Sequence, residues 1–278
     1  MRVYMTPKYL SKHQQVRVLV HGVLGKMGKT VLEAVCKSPG TVPVGGVDIL
    51  AQKDFFTLPD NSGEIPLSTD LAILITQSKP DVIVDFSVAN AAMSVIRASI
   101  PRRVNVVIGT TGLSQEELEE TKDLCSQYQT GAVIAPNFAL GAVLLTHISR
   151  IAGKFFDYAD ITEIHHETKI DAPSGTSLGI AEALAESKGN TYKSPKPDQI
   201  TLDNTRGGEV KGINIHSGRM PGKLAYHSIV LGTQGQTLTM THDTINRECY
   251  MPGVIIAIIE VIKSQNLTVG LEKVLGLK

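Results

Sequence analysis

The chain has 278 residues, of which 42% are hydrophobic, and its 27 Lys and Arg residues balance its 27 Asp and Glu residues. Without a net charge, no overall field would draw the molecule to nucleic acid or to an anionic membrane, so we expect small-molecule partners and neither nucleic acid nor membrane. Three widely spaced cysteines provide neither a disulfide framework nor a CxxC metal pair, and no apolar run approaches the length of a membrane span. These features predict a cytoplasmic protein that is long enough for two lobes.

The chain starts with a polar stretch, followed by a strand, a glycine turn and a helix. Residues 1–15 contain basic residues and no acidic one, and we expect a polar N-terminal tail. Residues 16–21 (VRVLVH) are rich in β-branched side chains, and residues 22–28 read GVLGKMG. Apolar residues then recur with helical spacing, which completes the strand, turn and helix pattern.

The glycine turn and the strand after it favour a dinucleotide site. The second strand, residues 42–47, ends at Asp48, whose carboxylate can accept hydrogen bonds from a ribose, while the turn lets a pyrophosphate approach the helix N-terminus. Gly28-Lys29-Thr30 matches the end of a Walker A loop, but the first glycine of that motif would fall at Val23, which excludes it. Val23 also departs from GxGxxG, so the turn is a variant of the dinucleotide pattern.

Apolar strands and helices then alternate, which predicts a parallel sheet covered on both faces. The helices are expected at residues 71–78 and 89–100 and after Ser114, which forms a capping box with Glu117, and the strands at residues 81–86, 104–108 and 132–135. Ligands of such sheets bind at the carboxyl ends of the strands. Four predicted ligand positions lie there: Gly22, Asp48, Thr110 and Asn137.

A cluster of polar groups follows a long apolar helix predicted at residues 139–156. Residues 160–176 read DITEIHHETKIDAPSGT, and a strand at 160–166 would place Glu163 and His165 on one face and His166 on the other. Lys169 lies on a loop that could return to either imidazole. A polar strand end is the simpler interpretation, but the density of proton-moving groups favours catalysis. Ile170 replaces the second histidine of an HExxH motif, so we expect no metal.

The residues after this strand predict an anion-binding helix start. Ser174 is expected to cap a helix that extends to Lys188, with the amides of Gly175 and Thr176 exposed at its first turn. Helix N-termini of this kind bind carboxylates and phosphates.

The rest of the chain predicts a sheet of a different kind. The polar stretch 190–211 is expected to be a lid or a mobile connection. Runs at 213–218, 225–231 and 236–242 are joined by short turns and predict an antiparallel meander, and an apolar helix at 254–262 is expected to return to the first sheet. We therefore expect an α/β protein with a Rossmann-type parallel-sheet domain (16–137 and 247–278) and a second α+β domain (138–246) for substrate binding and oligomerisation, with a mostly antiparallel sheet.

Five motifs together resemble the 4-hydroxy-tetrahydrodipicolinate reductases, also called dihydrodipicolinate reductases, of the diaminopimelate route to lysine. The motifs are GVLGKMG (22–28), VIGTTG (107–112), APNF (135–138), EIHHETKIDAPSGT (163–176) and MPGV (251–254). The resemblance covers the chain after the tail. It implies a homotetramer that uses hydride from NADH or NADPH to reduce a cyclic imine dicarboxylate with loss of water.

The resemblance also implies a role for each matching residue. The acid/base pair would be His165 and Lys169, and the substrate carboxylates would be bound by His166, Gly175 and Thr176. The pyrophosphate would be bound by Gly22, Val23, Leu24, Gly25, Lys26 and Met27, the ribose by Asp48, and the nicotinamide side by Gly109, Thr110, Thr111, Ala135, Pro136, Asn137 and Phe138.

The resemblance leaves two points open. Some members of the family follow the acidic residue with an Arg that can pair with the 2′-phosphate of NADPH, but Ile49 occupies that position here, and Lys53 is the nearest cation in sequence. Two other functions also remain: a nicotinamide-dependent reductase of another imino or keto acid, and a non-enzymatic dinucleotide sensor.

Overall fold

The computed structural model describes residues 15–110 and 112–277. The chain forms two compact units: the first comprises the residues up to Phe138 and those from Tyr250 onwards, and the second comprises Ala139–Cys249. The predicted 1–15 tail and Thr111 lie outside the described residues, apart from Gln15. Within the described ranges, none of the helices has the length and apolar character needed to cross a membrane.

The regular elements alternate through the first half of the chain and then change character. The helices are α1 (Lys26–Lys37), α2 (Leu71–Ser78), α3 (Ala89–Ser99), α4 (Gln115–Tyr128), α5 (Leu140–Gly153), α6 (Gly175–Lys188), α7 (Met251–Val261) and α8 (Leu271–Val274). The strands are β1 (Val16–His21), β2 (Thr41–Val47), β3 (Phe55–Thr57), β4 (Glu64–Ser68), β5 (Val82–Asp85), β6 (Asn105–Ile108), β7 (Ala132–Ile134), β8 (Tyr158–His165), β9 (Gly208–Val210), β10 (Ile213–Arg219), β11 (Ala225–Thr233), β12 (Gln236–Thr244) and β13 (Leu267–Val269).

The first unit contains an eight-stranded sheet with the order β13-β7-β6-β5-β1-β2-β4-β3. All neighbouring pairs are parallel except β3 with β4. The apolar strands β5 and β7 are buried along their whole length, as expected for a sheet covered on both faces. The Rossmann-type prediction is confirmed. The short strands β3, β4 and β13 were not predicted from the sequence.

Helices cover both faces of this sheet. One face is packed by α2, α3 and α4 through side chains such as Leu74, Ile96 and Cys125. The apolar helix α7 contacts α1 and strands β5, β6 and β7. The prediction that this last long helix returns to the first sheet is therefore confirmed, and its apolar composition follows from its buried position.

The second unit contains a five-stranded sheet with the order β12-β11-β8-β10-β9. Strand β8 is central: it pairs antiparallel with β11 and parallel with β10. The other two pairs are antiparallel, so the prediction of a mostly antiparallel sheet is confirmed.

The predicted three-strand meander is wrong, because β8 lies between β10 and β11, and of the three predicted strands β11 and β12 alone pair with each other as a hairpin. The chain leaves β8, forms α6 and returns as β10, and such a crossover brings the second strand back parallel to the first. This arrangement aligns Ile215, Ile161 and Ile229 across three neighbouring strands, and all three are buried. They form the centre of the core under α5 and α6.

The unit boundaries differ from the predicted domain boundaries at two places. Phe138 belongs to the first unit, where its ring is buried and lies 5.4 Å from that of Phe86. Residues 247–249 belong to the second unit, in a short 3₁₀ turn after β12. In the polar stretch 190–211, Tyr192 is buried and its hydroxyl donates to the carbonyl of Gly153 (2.9 Å), so the start of this stretch is packed.

Candidate functional site

The glycine turn between β1 and α1 is closely packed against the first turn of the helix. Gly22 has a φ of +71°, a conformation that favours glycine, and a Cβ on Gly28 would lie 2.0 Å from the carbonyl oxygen of Gly22. Gly25 is the N-cap of α1 and has no side chain that could accept from the first-turn amides. The turn therefore presents backbone amides at a helix N-terminus, which suits a phosphate.

Asp48 lies directly at this turn, as the sequence predicted. Its Oδ2 accepts from the amide of Leu24 (2.9 Å) and its Oδ1 from the amide of Leu50 (3.0 Å), and the residue is only 8% exposed. The carboxylate therefore connects the end of β2 to the glycine turn. Each oxygen has a second lone pair, so the group retains acceptor capacity for a ligand hydroxyl.

A buried pair that sequence reasoning missed lies at the same edge of the sheet. Nδ1 of His21 lies 2.7 Å from Oδ1 of Asp85, and Asp85 is fully buried. Asp85 also accepts from the Ser87 amide (3.1 Å) and, at 3.4 Å, from the Thr110 hydroxyl. His21 and Asp85 are the last residues of adjacent parallel strands, which is the signal that could have identified the pair.

The residues predicted on the nicotinamide side follow β6 and β7. The amide of Gly109 donates to the Asp85 carbonyl (2.8 Å), and a Cβ on Gly109 would lie 2.1 Å from the Phe86 ring. Ala135 and Phe138 are buried and Pro136 is exposed. Any contact of Ala135 or Phe138 with a ligand would therefore use the backbone.

In the second unit, β8 places its alternate residues as predicted. Glu163 and His165 both point into the buried face of the sheet, and Ile164 and His166 are less buried. Nδ1 of His166 lies 2.8 Å from the Thr168 hydroxyl, just beyond the strand end.

Ser174 caps α6, as predicted. Its Oγ accepts from the Ser177 amide (3.2 Å), so this bond leaves the preceding first-turn amides of Gly175 and Thr176 to other acceptors. Gly175 is exposed, and a Cβ at this position would meet nothing within 4 Å. A carboxylate can therefore approach the helix start without displacing a side chain.

Lys169 contacts a carboxylate instead of a histidine ring. Its Nζ lies 2.6 Å from Oδ1 of Asp171, and its amide donates to the His166 carbonyl (3.1 Å). The hydrogen bond from Lys169 is the main cause that holds the pKa of Asp171 below its ordinary value. The ammonium is thus paired with an acid two residues further along the chain, and a bound anion would compete with that acid.

Glu163 is the centre of a buried polar network. Its Oε1 accepts from the Ser174 amide (3.1 Å) and from Nη2 of Arg219 (3.0 Å), and its Oε2 lies 2.7 Å from Nδ1 of His165. The His165 ring is not aligned for a straight hydrogen bond, so this last contact is chiefly electrostatic. Burial acts to raise the pKa of Glu163, but the contacts with His165, Ser174, Ser217 and Arg219 outweigh it and hold the pKa far below its ordinary value.

His227 completes this network from β11. Its Nε2 lies 3.2 Å from the Ser174 hydroxyl, and its ring is 5.2 Å from that of His165 in an edge-on arrangement. Burial, reinforced by the nearby His165, lowers the pKa of His227 to about 4. His227 is therefore neutral near neutral pH.

Sequence reasoning did not assign a role to Arg219 or His227. Both are far from Glu163 in sequence, and strand pairing brings them to it: His227 is the cross-strand neighbour of Glu163, and Arg219 that of His165. The correct strand order would have revealed both.

The same cluster does not have the geometry of a metal site. Donor atoms of Glu163, His165 and His227 lie within 4.8 Å of one another, a looser spread than the roughly 3.3 Å between the ligands of a tetrahedral zinc ion. Arg219 adds a positive charge next to the only carboxylate. This donor set fits a shared proton better than a divalent cation.

Comparison with known proteins covers both units. The family model for the dihydrodipicolinate reductase N-terminus matches residues 16–138, and that for the C-terminus matches residues 141–275. A protein named 4-hydroxy-tetrahydrodipicolinate reductase from Dehalococcoides mccartyi is 45% identical over 262 residues, which is 94% of this chain and 99% of the relative. One of the same name from Moorella thermoacetica is 40% identical over 264 residues, covering 94% and 98%.

Solved structures agree with these matches. Dipicolinate-bound dihydrodipicolinate reductase from Paenisporosarcina sp. TG-14 superposes with a TM-score of 0.84 at 35% identity and covers 94% of this chain and 99% of that one. An amine dehydrogenase from Mycobacterium smegmatis has a TM-score of 0.61 at 15% identity, which shows the fold alone. The chain therefore belongs to the dihydrodipicolinate reductase family.

Proposed function

We propose that the chain catalyses the reduction of 4-hydroxy-tetrahydrodipicolinate to tetrahydrodipicolinate, with loss of water, in diaminopimelate and lysine biosynthesis. NADH or NADPH supplies the hydride. The observation that carries this proposal is the arrangement of residues 163–176: one short segment holds two histidines, a lysine and a helix N-terminus beside a buried carboxylate. A dianionic substrate needs such donors, and a carbon that accepts hydride needs a proton donor for its neighbour.

The proposed roles of the proton-moving groups follow from charge. Hydride addition places negative charge on the substrate, and one proton must enter while the hydroxyl group leaves as water. His165 and Lys169 are the proposed acid/base pair, because an imidazolium or an ammonium can supply this proton. His166 and the amides of Gly175 and Thr176 are proposed to bind the carboxylates, since a helix N-terminus stabilises an anion by about 0.3–1 kcal/mol or more when partly buried.

The cofactor is proposed to bind at the carboxyl edge of the first sheet. The turn from Gly22 to Met27 would hold the pyrophosphate at the start of α1, and Asp48 would accept from the ribose with its remaining lone pairs. Gly109, Thr110, Thr111 and Ala135 to Phe138 would border the nicotinamide. The first unit is thus the proposed dinucleotide-binding domain and the second the proposed substrate domain.

We also propose a homotetramer, a cytoplasmic location and no nucleic-acid partner. The second unit supports self-association: its sheet is covered by α5 and α6 on one face, and side chains such as Tyr158 and Val230 are exposed on the other. Light scattering tests this assembly: Val230→Glu is expected to reduce the mass of the particle, whereas Glu182→Gln on α6 is expected to leave it unchanged. A monomeric wild-type protein would refute the tetramer.

The activity is tested by oxidation of NADH and of NADPH with enzymatically generated 4-hydroxy-tetrahydrodipicolinate. We expect turnover with this substrate and little with a panel of other cyclic imines and 2-keto acids. Preferred turnover of a panel member would support the reductase of another imino or keto acid. Tight binding of NADH without turnover of any compound would support the sensor.

A further inference from the structure

We propose that Glu163 is a positioning residue that fixes His165 and the start of α6 at the same time. The inference rests on the proposed function for its kinetic consequences, but its structural content can be measured without turnover.

Glu163 determines which ring nitrogen of His165 carries a hydrogen. A carboxylate can only accept, and a bare Nδ1 of His165 would repel Oε2 of Glu163 at 2.7 Å, so Nδ1 carries a hydrogen even though the bond is not straight. In the neutral ring Nε2 is then the bare nitrogen, and in the imidazolium Nε2 bears the proton that can be transferred. Glu163 therefore selects the tautomer and stabilises the charged ring, as carboxylates behind catalytic histidines do.

Glu163 also fixes the start of α6. The other oxygen of Glu163 accepts from the Ser174 amide at 3.1 Å, and the Ser174 hydroxyl caps α6 and contacts His227. The proton-transferring histidine and the amides proposed for the substrate carboxylate are therefore fixed by two oxygens of one side chain. This side chain is fully buried, which leaves it few alternative rotamers.

Arg219 offsets the free-energy cost of burying the charge of Glu163. Arg219 donates to Oε1 of Glu163 (3.0 Å) and also to the carbonyl of Asp171 (2.5 Å). A buried carboxylate is costly without a partner, and Arg219 supplies the counter-charge. By holding Asp171, the same guanidinium also fixes the loop that carries Lys169.

Glu163→Gln separates charge from shape. The amide keeps the size of the side chain and an oxygen for Ser174 and Arg219, but it presents an N–H group to His165 and so favours the opposite tautomer. The matched control is Glu182→Gln, which removes a carboxylate from the exposed side of α6. Nitrogen NMR of isotope-labelled imidazole rings measures the tautomer, with His165→Gln used to assign the signal.

We expect the wild-type protein to show the Nδ1–H tautomer at His165 and Glu163→Gln to show the Nε2–H tautomer. The kcat should fall roughly 10-fold to 100-fold with KM changed by no more than a few-fold, because the contact with Ser174 survives.

The proposal is overturned if the wild-type ring carries its hydrogen on Nε2, a measurement that needs no variant to fold. It is also overturned if Glu163→Gln keeps kcat within a few-fold of the control. If Glu163→Gln unfolds, the double variant with Arg219→Gln removes both charges and takes its place in the same measurements. A wild-type protein that binds NADH without turnover would refute the proposed function alone, since the tautomer still tests the positioning.

Discussion

Nζ of Lys169 lies 2.6 Å from the Asp171 carboxylate, two residues further along the chain, so the proposed acid is already paired before any substrate binds. The Asp171 side chain is 51% exposed, and exposed ion pairs are worth only about 0–1 kcal/mol. A substrate carboxylate can therefore replace Asp171 as the partner of the ammonium at small cost.

Asp171→Asn should strengthen substrate binding by removing this competitor. We expect KM to fall by up to about fivefold, which corresponds to about 1 kcal/mol, with a smaller effect on kcat. Steady-state kinetics with Glu167→Gln, an exposed acid on the same loop, provide the control. A KM that rises in Asp171→Asn would mean that Asp171 orients Lys169 and does not compete for it.

Acid should destabilise the second unit through His227. Its pKa is lowered from an ordinary value of 6.5 to about 4, so between these pH values the unfolded chain binds a proton that the folded protein does not. The contribution of neutral His227 to the free energy of unfolding is complete above about pH 6.5 and is lost as the pH falls towards about 4. The free energy of unfolding differs by about 3 kcal/mol between these two pH values. Glu163 adds to the loss below its ordinary pKa of 4.5, since its folded-state pKa is depressed.

Denaturant unfolding at a series of pH values tests this expectation. His227→Asn should flatten the pH dependence between about 6.5 and about 4, because Asn does not titrate. His166→Asn, a less buried histidine just beyond the end of β8, serves as the control. An unchanged slope in His227→Asn would show that another group governs acid unfolding.

The fold of the first unit could largely be predicted from the sequence because its signals are local. Buried parallel strands are apolar along their length, and the Ser114 cap of α4 depends on Glu117, three positions away. The order of strands in the second unit depends on a crossover, and no local pattern placed β8 between β10 and β11. For the same reason Arg219 and His227 were not predicted as partners of Glu163. The segment 163–176 itself was predicted as the site of catalysis.

Glycine at position 28 should be required for the cofactor turn. A Cβ there would lie 2.0 Å from the Gly22 carbonyl, so Gly28→Ala must displace the turn, at a cost of roughly 1–3 kcal/mol, and should weaken NADH binding. The matched control is Gly179→Ala in α6, where a Cβ meets nothing within 4 Å. That change should be neutral or stabilise by roughly 0.5–1 kcal/mol. Thermal melts and NADH titrations of both variants test this expectation. Equal melting temperatures and equal NADH affinities in the two variants would contradict the close packing at Gly28.

The cofactor preference should follow from Asp48. A 2′-phosphate near this carboxylate, with Ile49 in place of an arginine, should lose up to about tenfold in affinity, so NADH should be used at least as well as NADPH. Asp48→Asn should shift the ratio of kcat/KM towards NADPH, and Asp54→Asn, an exposed acid outside the turn, should not. A wild-type preference for NADPH above about tenfold would contradict the ribose assignment.

The catalytic assignment is tested most directly by the kcat of Lys169→Ala with 4-hydroxy-tetrahydrodipicolinate, measured beside NADH affinity and a thermal melt. A positioned general acid is worth roughly 100-fold to 10,000-fold, so we expect kcat to fall within this range and substrate binding to weaken. NADH affinity and the melting temperature should change little, because Lys169 belongs to the second unit. Retention of more than about a tenth of the wild-type kcat would contradict the assignment.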